Sequence, residues 1–305
     1  ILIVLCKYCV LKDTLKYPFK VSKAKYTIGW ILCLLFCLFS FWGTDWFHYL
    51  ETFVIIKAGY GTNLENVYVW IIQNISPNYL SFRLIVWGSA LYLLFKTVNN
   101  LSVSKELVLL LFGVIYIIWF SYARATLAMV LAFYGYSLIV KNRHNSRSVV
   151  LGCLILLSSY YFHKTAAFAI GVVAFALLLK RFPRYAIGIG AILNSMFERL
   201  PYYLTAFLGF GIIKQKKMKI PNDIKSFILL QILFVLISSI FAFNLGVNTS
   251  TIYGRFLRFA AIPTTIVMAY LYQCGYRHKF VKRTIQIAVC STLYALLYSF
   301  YNAAL

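Results

Sequence analysis

The chain has 305 residues, of which 62% are hydrophobic and 12% are charged, and its mean hydropathy is +0.80. About a quarter of the residues in an ordinary soluble domain are charged, so this composition excludes a soluble protein and predicts an integral membrane protein. The net charge of +23 would favour nucleic acid as the partner of a soluble protein. Here the positions of the charges predict membrane topology instead, and no nucleic-acid partner is expected.

Long apolar segments follow one another along the chain, separated by short polar connections. A helix that crosses the hydrocarbon needs about 20 apolar residues, and the absence of strict alternation favours helices over strands. The fold class predicted is therefore all-α, with one polytopic domain over residues 1–305 and about 11–12 transmembrane helices. The predicted spans lie near 1–11 (expected to be truncated), 26–42, 79–95, 107–122, 125–140, 149–163, 165–179, 185–197, 200–213, 226–243, 256–273 and 284–301.

Basic residues are concentrated in alternate connections between these spans. Most of the 30 Lys and Arg residues fall in 12–25, 96–105, 141–147, 180–184, 214–225 and 277–283. Short loops rich in Lys and Arg stay on the cytoplasmic side of a membrane, so these connections are predicted to lie inside. The opposite connections are then outside, namely residues 43–78, the turns at 122–125, 163–164 and 198–199, and the loop 244–255.

The first long outer connection, 43–78, begins with a helical pattern in "FWGTDWFHYLETF". Its polar residues recur at helical spacing and predict a polar stripe beside apolar neighbours; the stripe comprises Asp45, His48, Tyr49 and Thr52. Such a helix either lies in the membrane interface or faces a substrate.

Charged residues are few on the predicted outer side. The acids are Asp45, Glu51, Glu65 and Glu198, and the bases are Lys57, Arg83, Arg124, Lys164, Arg199, Arg255 and Arg258. Arg124 stands between the apolar stretches "WFSYA" and "ATLAMVLAF", while Arg255 and Arg258 are three residues apart and share one helix face. The guanidinium fork binds phosphate groups through two charge-assisted hydrogen bonds. These arginines are therefore candidates for binding the pyrophosphate of a lipid-linked substrate, with fixed cations in place of a metal. The alternative is that they only reach lipid phosphates.

His163 and Lys164 stand in "YFHKTAAFAI", between two apolar spans at their predicted outer ends. An imidazole has an ordinary pKa of about 6.5 and can accept a proton near neutral pH. The positive charge of Lys164 favours the neutral, basic form. His163 is therefore the candidate general base, and Asp45 is the second candidate. The alternative is that His163 only ends its helix.

The segment Tyr122–Ile170, "YARATLAMVLAFYGYSLIVKNRHNSRSVVLGCLILLSSYYFHKTAAFAI", resembles the EpsG and Wzy-type polysaccharide polymerases. In that family an outer arginine starts a span rich in small residues, a basic inner loop follows, and the next span ends in a histidine. The resemblance extends upstream to "DWFHYLETF" and "KAGYGTNLENVYVWI" and downstream to "YGRFLRFAAIPTTIV", so it covers most of 40–270. The chain departs from the pattern at Lys164, where a small neutral residue is typical, and in its short outer loop around Glu198.

The resemblance implies a multi-pass enzyme of the bacterial inner membrane, a metal-independent GT-C-type glycosyltransferase whose active site faces the periplasm. It would polymerise oligosaccharide repeat units linked to undecaprenyl pyrophosphate, so its partners would be a lipid-linked donor, a lipid-linked acceptor and membrane lipids. A protein that regulates polysaccharide chain length is a further expected partner, and no cofactor is expected. By position, Asp45, Arg124, His163 and Arg255 correspond to the outer polar positions of the family. His163 and Asp45 would be catalytic, and the pyrophosphate would be bound by Arg124, Arg255, Arg258 and Lys164.

Three other functions stay open at this point. An O-antigen ligase differs from a polymerase only in its acceptor. A transporter or flippase of lipid-linked glycans would usually carry ionisable groups near the midplane and inverted repeats, whereas these charges lie at the outer ends of spans and no repeat is visible. A membrane O-acyltransferase would need an inner-facing histidine in an apolar segment, yet His144 and His278 both lie in basic loops.

Overall fold

The computed structural model describes residues 23–39, 44–116, 123–142, 145–178, 220–244 and 259–273, and all regular structure in these ranges is helical. The prediction of an all-α protein is confirmed. The spans predicted near 1–11, 185–197, 200–213 and 284–301 lie outside the described residues. The helices are α1 (Lys23–Leu38), α2 (Thr44–Lys57), α3 (Asn66–Asn74), α4 (Tyr79–Asn99), α5 (Lys105–Tyr116), α6 (Ala123–Lys141), α7 (Ser146–Phe162), α8 (Ala166–Leu178), α9 (Asn222–Asn244) and α10 (Ala261–Gln273).

Several of these helices have the apolar character of membrane spans. Helices α4 and α6 are long and apolar enough to cross a membrane, and α7, α8 and α10 are shorter apolar helices. Helix α7 also carries a row of large apolar side chains that are each more than half exposed, namely Val150, Leu154, Leu157 and Tyr161. Because a soluble protein rarely exposes a continuous apolar surface, this row fits contact with lipid.

One end of the bundle is held together around the connection between α4 and α5. The backbone N–H of Ser102 donates to Oδ2 of Asp223 at the start of α9 (2.6 Å). Lys141, the last residue of α6, donates from Nζ to Oδ1 of Asn100 (3.3 Å). The ends of α4 and α6 and the start of α9 therefore lie together. The charge pattern predicted the same grouping and assigned this end to the cytoplasm; that assignment stays a prediction.

The opposite end contains a buried arginine that joins α1 to α4. Arg83 is only 1% exposed, and it donates from Nη2 to the carbonyl oxygen of Cys37 (2.5 Å) and from Nε to that of Leu38 (3.2 Å). Its guanidinium carbon lies 4.2 Å from the ring centroid of Trp46. The last carbonyls of a helix lack partners within that helix, so Arg83 satisfies the end of α1 and fixes it beside the start of α4.

Helices α6 and α7 pack against each other through two glycines. A Cβ atom on Gly135 would lie 2.5 Å from the carbonyl oxygen of Gly152 and 2.7 Å from the backbone nitrogen of Leu156, so no larger residue fits this backbone contact. Along their antiparallel helices, Arg124 and His163 are separated from this glycine contact by the same number of residues. At the α-helical rise that number corresponds to about 16 Å. The contact therefore places the start of α6 and the end of α7 at the same height.

Residues 43–78, predicted as an outer loop, contain the two helices α2 and α3. Gly59 follows the last residue of α2, Lys57, by two positions, and its φ of 85° is the left-handed conformation that commonly terminates helices. The chain then turns back to Glu65 before α3, and α4 begins with a capping box between Asn78 and Ser81. This path carries α2 and α3 over the end of the bundle where α6 begins and α7 ends.

The polar stripe predicted on α2 is divided in the structure. Tyr49 and Thr52 are buried on the same side as Trp46 and Phe53, whereas His48 is exposed. The hydroxyl of Thr52 donates to the carbonyl oxygen of His48 within the helix (2.7 Å), so it needs no substrate to satisfy it. The single stripe is therefore wrong, because the aromatic side of α2 packs on the protein and takes Tyr49 with it.

Candidate functional site

Arg124 lies in the first turn of α6 and meets side chains from the 43–78 segment. Its Nη1 donates to Oε2 of Glu65 (2.6 Å), and its Nε donates to the hydroxyl of Tyr49 (2.8 Å). The hydroxyl of Tyr68 donates to the backbone carbonyl oxygen of Arg124 (3.3 Å). These contacts hold the guanidinium in a fixed place. The arginine side chain is 18% exposed, so it is still accessible from outside the fold.

Glu65 joins this arginine to the candidate base. While Oε2 of its carboxylate contacts Arg124, Oε1 lies 3.5 Å from Nδ1 of His163. Glu65 is the N-cap residue of α3, yet its side chain makes no hydrogen bond to that helix. The carboxylate, 12% exposed, points instead towards α6 and α7.

His163 is fixed by its backbone at the junction of α7 and α8. Its N–H donates to the carbonyl oxygen of Ser159 (3.2 Å), and its carbonyl oxygen accepts from the N–H of Ala166 (2.8 Å). Any residue could make these two bonds, so ending α7 does not explain why the residue is histidine. The imidazole is 22% exposed and approaches Glu65. This side-chain contact is additional to the backbone bonds and does not follow from a residue that only ends its helix.

Tyr68 closes the site on its buried side. Burial raises the pKa of the Tyr68 phenol well above its usual value, and the nearby Glu65 carboxylate shifts it in the same direction. The phenol therefore stays neutral and donates to the Arg124 carbonyl oxygen. Its ring packs edge-on against Phe162, the last residue of α7, so Tyr68 links α3 to both helices that carry the site.

The other residues proposed from the sequence are placed to different extents. Asp45 lies in the first turn of α2, and its side chain is outside the described set. Lys164 is exposed in the turn that follows His163. Arg255 and Arg258 both lie outside the described residues. Arg124 and His163 are therefore the two predicted residues that one common partner brings together.

Two members of the site were not predicted as such. Glu65 was recognised only as an outer acid, and Tyr49 only as part of the polar stripe on α2. The signal for Glu65 was its rarity, because it is one of 7 acidic residues in a chain with 30 basic ones. Each acid on the predicted outer side of such a chain is a candidate partner for the arginines and histidines predicted on that side.

The arrangement combines an anion-binding group with a proton-accepting group. A guanidinium can bind phosphate oxygens, and a neutral imidazole can accept a proton from a hydroxyl group. Within the described ranges, no three His, Cys, Asp or Glu side chains come close enough to hold a metal ion. Arg124 supplies a fixed positive charge to the described part of the site.

Comparison with known proteins identifies the family. The family model described as the EpsG family matches residues 24–197, more than half of the chain, and this range includes Tyr49, Glu65, Arg124 and His163. No curated protein matches the chain, and no solved structure matches it. The match agrees with the resemblance to the EpsG and Wzy-type polymerases and with the apolar helices of the fold. The chain therefore belongs to the EpsG family, which gives it a polymerase-type role in making polysaccharide at a membrane.

Proposed function

We propose that the protein is a glycosyltransferase of the bacterial inner membrane that polymerises undecaprenyl-pyrophosphate-linked oligosaccharide repeat units at the periplasmic face. One observation carries the proposal: a single carboxylate contacts both Arg124 and His163. A cation suited to a pyrophosphate and a group suited to deprotonating a hydroxyl thus occupy one partly exposed site. Family membership supports the polymer as the product, and the basic loops support the orientation.

In the proposed reaction, a hydroxyl group of the acceptor repeat unit attacks the anomeric carbon of the donor glycan. The hydroxyl proton moves to His163, and the new glycosidic C–O bond forms. The bond between the anomeric carbon and the pyrophosphate oxygen breaks, and its electron pair leaves with the lipid pyrophosphate. Arg124 stabilises the charge that grows on this leaving group. The proton then passes from the imidazole to solvent, and the growing chain remains on the acceptor lipid.

Further residues complete the proposal. Arg255, Arg258 and Lys164 are proposed as additional cations for the pyrophosphate, so that no metal is needed for charge stabilisation in this GT-C-type reaction. Asp45 is the alternative base. Both substrates are lipid-linked, and a regulator of polysaccharide chain length is the proposed protein partner.

The function is tested by the glycan that a strain makes when it lacks this gene. Loss of polymer with retention of single repeat units supports a polymerase. Full-length polymer that is not attached to its acceptor would identify a ligase instead. Lipid-linked repeat units confined to the cytoplasmic leaflet would identify a transporter, and either of these outcomes overturns the proposal.

The catalytic assignment is tested by complementing that strain with His163→Gln. Glutamine keeps hydrogen bonding but cannot accept the proton, and a general base contributes about 10²–10⁴-fold in rate. We therefore expect an inserted protein that makes almost no polymer. His48→Gln is the matched control, because His48 is an exposed histidine on α2 and its variant should polymerise normally. Normal polymer from His163→Gln would transfer the role of base to Asp45.

A further inference from the structure

Glu65 is held in place by its backbone while its carboxylate serves neighbouring helices. The backbone carbonyl oxygen of Glu65 accepts from the N–H groups of Tyr68 (2.9 Å) and Val69 (3.3 Å). Preferred N-cap residues such as Asp or Ser accept a hydrogen bond from their own helix through the side chain, whereas the Glu65 side chain makes none. Both carboxylate oxygens are therefore available to groups outside α3, and each has a different partner.

The two partners are the residues to which the proposed reaction gives different tasks. Oε2 contacts the guanidinium of Arg124 at 2.6 Å, and Oε1 lies 3.5 Å from Nδ1 of His163. Because the Arg124 contact is short and the backbone of Glu65 is bonded to α3, turning the carboxylate away from the imidazole would disturb its contact with the arginine. The positions of Arg124 and His163 are therefore coupled through Glu65.

The exposure of His163 shows which ring nitrogen faces the carboxylate. Nδ1 is shielded from solvent, although the side chain as a whole is 22% exposed. The exposed part of the His163 side chain therefore lies away from Nδ1. A carboxylate facing Nδ1 favours the tautomer with its proton on that nitrogen. Nε2 is then the ring nitrogen that keeps a lone pair and can accept a proton.

We propose that Glu65 is a positioning residue that holds His163 in the tautomer whose Nε2 is the base, and that it anchors this imidazole to Arg124. This inference rests on the proposed function, because it assumes that His163 accepts the proton of the acceptor hydroxyl. When the hydroxyl proton moves to Nε2, the imidazole becomes positively charged, and the carboxylate stabilises that charge. The distance of 3.5 Å is longer than a formed hydrogen bond, and such contacts often shorten when substrate binds.

The contact between Glu65 and Arg124 also affects the binding of pyrophosphate. Glu65 is the negative charge closest to the group proposed to bind pyrophosphate, so it competes with that anion for Arg124. Removing the charge should therefore slow the chemical step but should not weaken pyrophosphate binding. A residue with a merely structural role would, on removal, disturb Arg124 and weaken both.

The experiment measures turnover and anion inhibition separately for Glu65→Gln. Purified protein is supplied with lipid-linked repeat units extracted from the strain that lacks the gene, and inorganic pyrophosphate is the inhibitor. A misplaced catalytic group can cost about 10²-fold, so we expect kcat to fall by about 100-fold. The inhibition constant of inorganic pyrophosphate should stay the same or decrease. Glu51→Gln is the matched control, since Glu51 is an exposed acid on α2, and it should leave both values unchanged.

A double variant tests whether Glu65 acts through His163. If it does, Glu65→Gln combined with His163→Gln should be no slower than His163→Gln alone, because groups that act as a unit are not additive. Losses that multiply in the double variant would overturn the inference, and so would normal kcat in Glu65→Gln or weaker inhibition by pyrophosphate. Full activity of His163→Gln would instead remove the base from the proposed function, which is a separate failure.

If Glu65→Gln does not accumulate in the membrane, Glu65→Asp replaces it. Aspartate keeps the charge on a shorter side chain, so it can hold either Arg124 or His163 but not both. We expect kcat to fall by about 10-fold while inhibition by pyrophosphate is retained. This loss is smaller than the roughly 100-fold loss that a fully misplaced catalytic group can cause. Unchanged kcat in Glu65→Asp would overturn the inference.

Discussion

Arg124 occupies a position that is electrostatically unfavourable for its helix. It lies in the first turn of α6, where the helix dipole favours acidic residues and disfavours basic ones. The contacts with Glu65 and Tyr49 offset this cost, but they would be unnecessary if a neutral residue stood there. The anionic ligand proposed above would explain why an arginine stands at such a place with a rigid orientation, whereas the stability of α6 would not.

We expect Arg124→Lys to lose most polymerisation while the protein still accumulates. Lysine keeps the charge but presents it as a single point, and it lacks the planar fork that matches phosphate oxygens. Glycan chain length in the complemented strain measures the effect. Arg147→Lys is the control, because Arg147 is exposed in the first turn of α7 at the other end of the bundle. Normal polymer from Arg124→Lys would mean that only the charge matters.

Arg83 has a different task from Arg124 although both are arginines near the same end of the fold. We expect Arg83→Leu to destabilise the protein by about 2–4 kcal/mol, because it removes charged hydrogen bonds to two carbonyl oxygens of α1 and leaves them buried. Thermal unfolding in detergent measures this loss, and Arg147→Leu is the exposed control. The folded fraction should keep its turnover per molecule; a selective loss of turnover would place Arg83 in the active site.

At the scale of elements, the α6–α7 pair determines where the site residues meet. We expect Gly135→Ala to destabilise the protein by about 1–3 kcal/mol, the usual cost of overpacking, since its methyl group would overlap the backbone of Gly152. Alanine is the better helix former, so any loss comes from packing. Turnover should fall as well, because separating the two helices moves Arg124 away from His163.

Gly171→Ala is the matched control for that substitution. Gly171 also lies in an apolar helix, α8, and a Cβ atom there would meet nothing within 4 Å. Its variant should have normal stability and normal turnover. Equal stability of Gly135→Ala and Gly171→Ala would show that α6 and α7 can separate without cost.

The elements themselves could largely be predicted from the sequence, because each apolar run is long and bounded by charged residues. The approach of Arg124 to His163 could also be expected, since both stand at the predicted outer ends of neighbouring spans. The role of Glu65 could not be predicted, because the path of the 43–78 segment depends on Gly59, on α3 and on the packing of Tyr49. Helical periodicity places a residue on a face of its own helix, but it does not say which other helix that face will meet.

At the scale of the whole molecule, the helix ends form two opposite sets. The set around Arg124 and His163 is predicted to be periplasmic, and the set around Lys141 and Asp223 is predicted to be cytoplasmic. We expect single cysteines at Tyr60 and Lys225, introduced in a background without native cysteines, to react with a membrane-impermeant reagent from opposite sides. Both positions are exposed, so accessibility alone should not limit labelling. Labelling of both from one side would contradict the topology.

The contact between Arg83 and the end of α1 has a consequence for how the protein is made. Synthesis proceeds from the N-terminus, so α1 is exposed to the membrane before its closing residue exists, since Arg83 follows Leu38 by 45 positions. Until then, the terminal carbonyl groups of α1 must bond to water or lipid headgroups. The end of α1 is therefore not satisfied by α1 alone, and a fragment that completes it must extend into α4 as far as Arg83. The end of α1 is thus completed when α4 has been made, before the helices that carry Arg124 and His163 have left the ribosome.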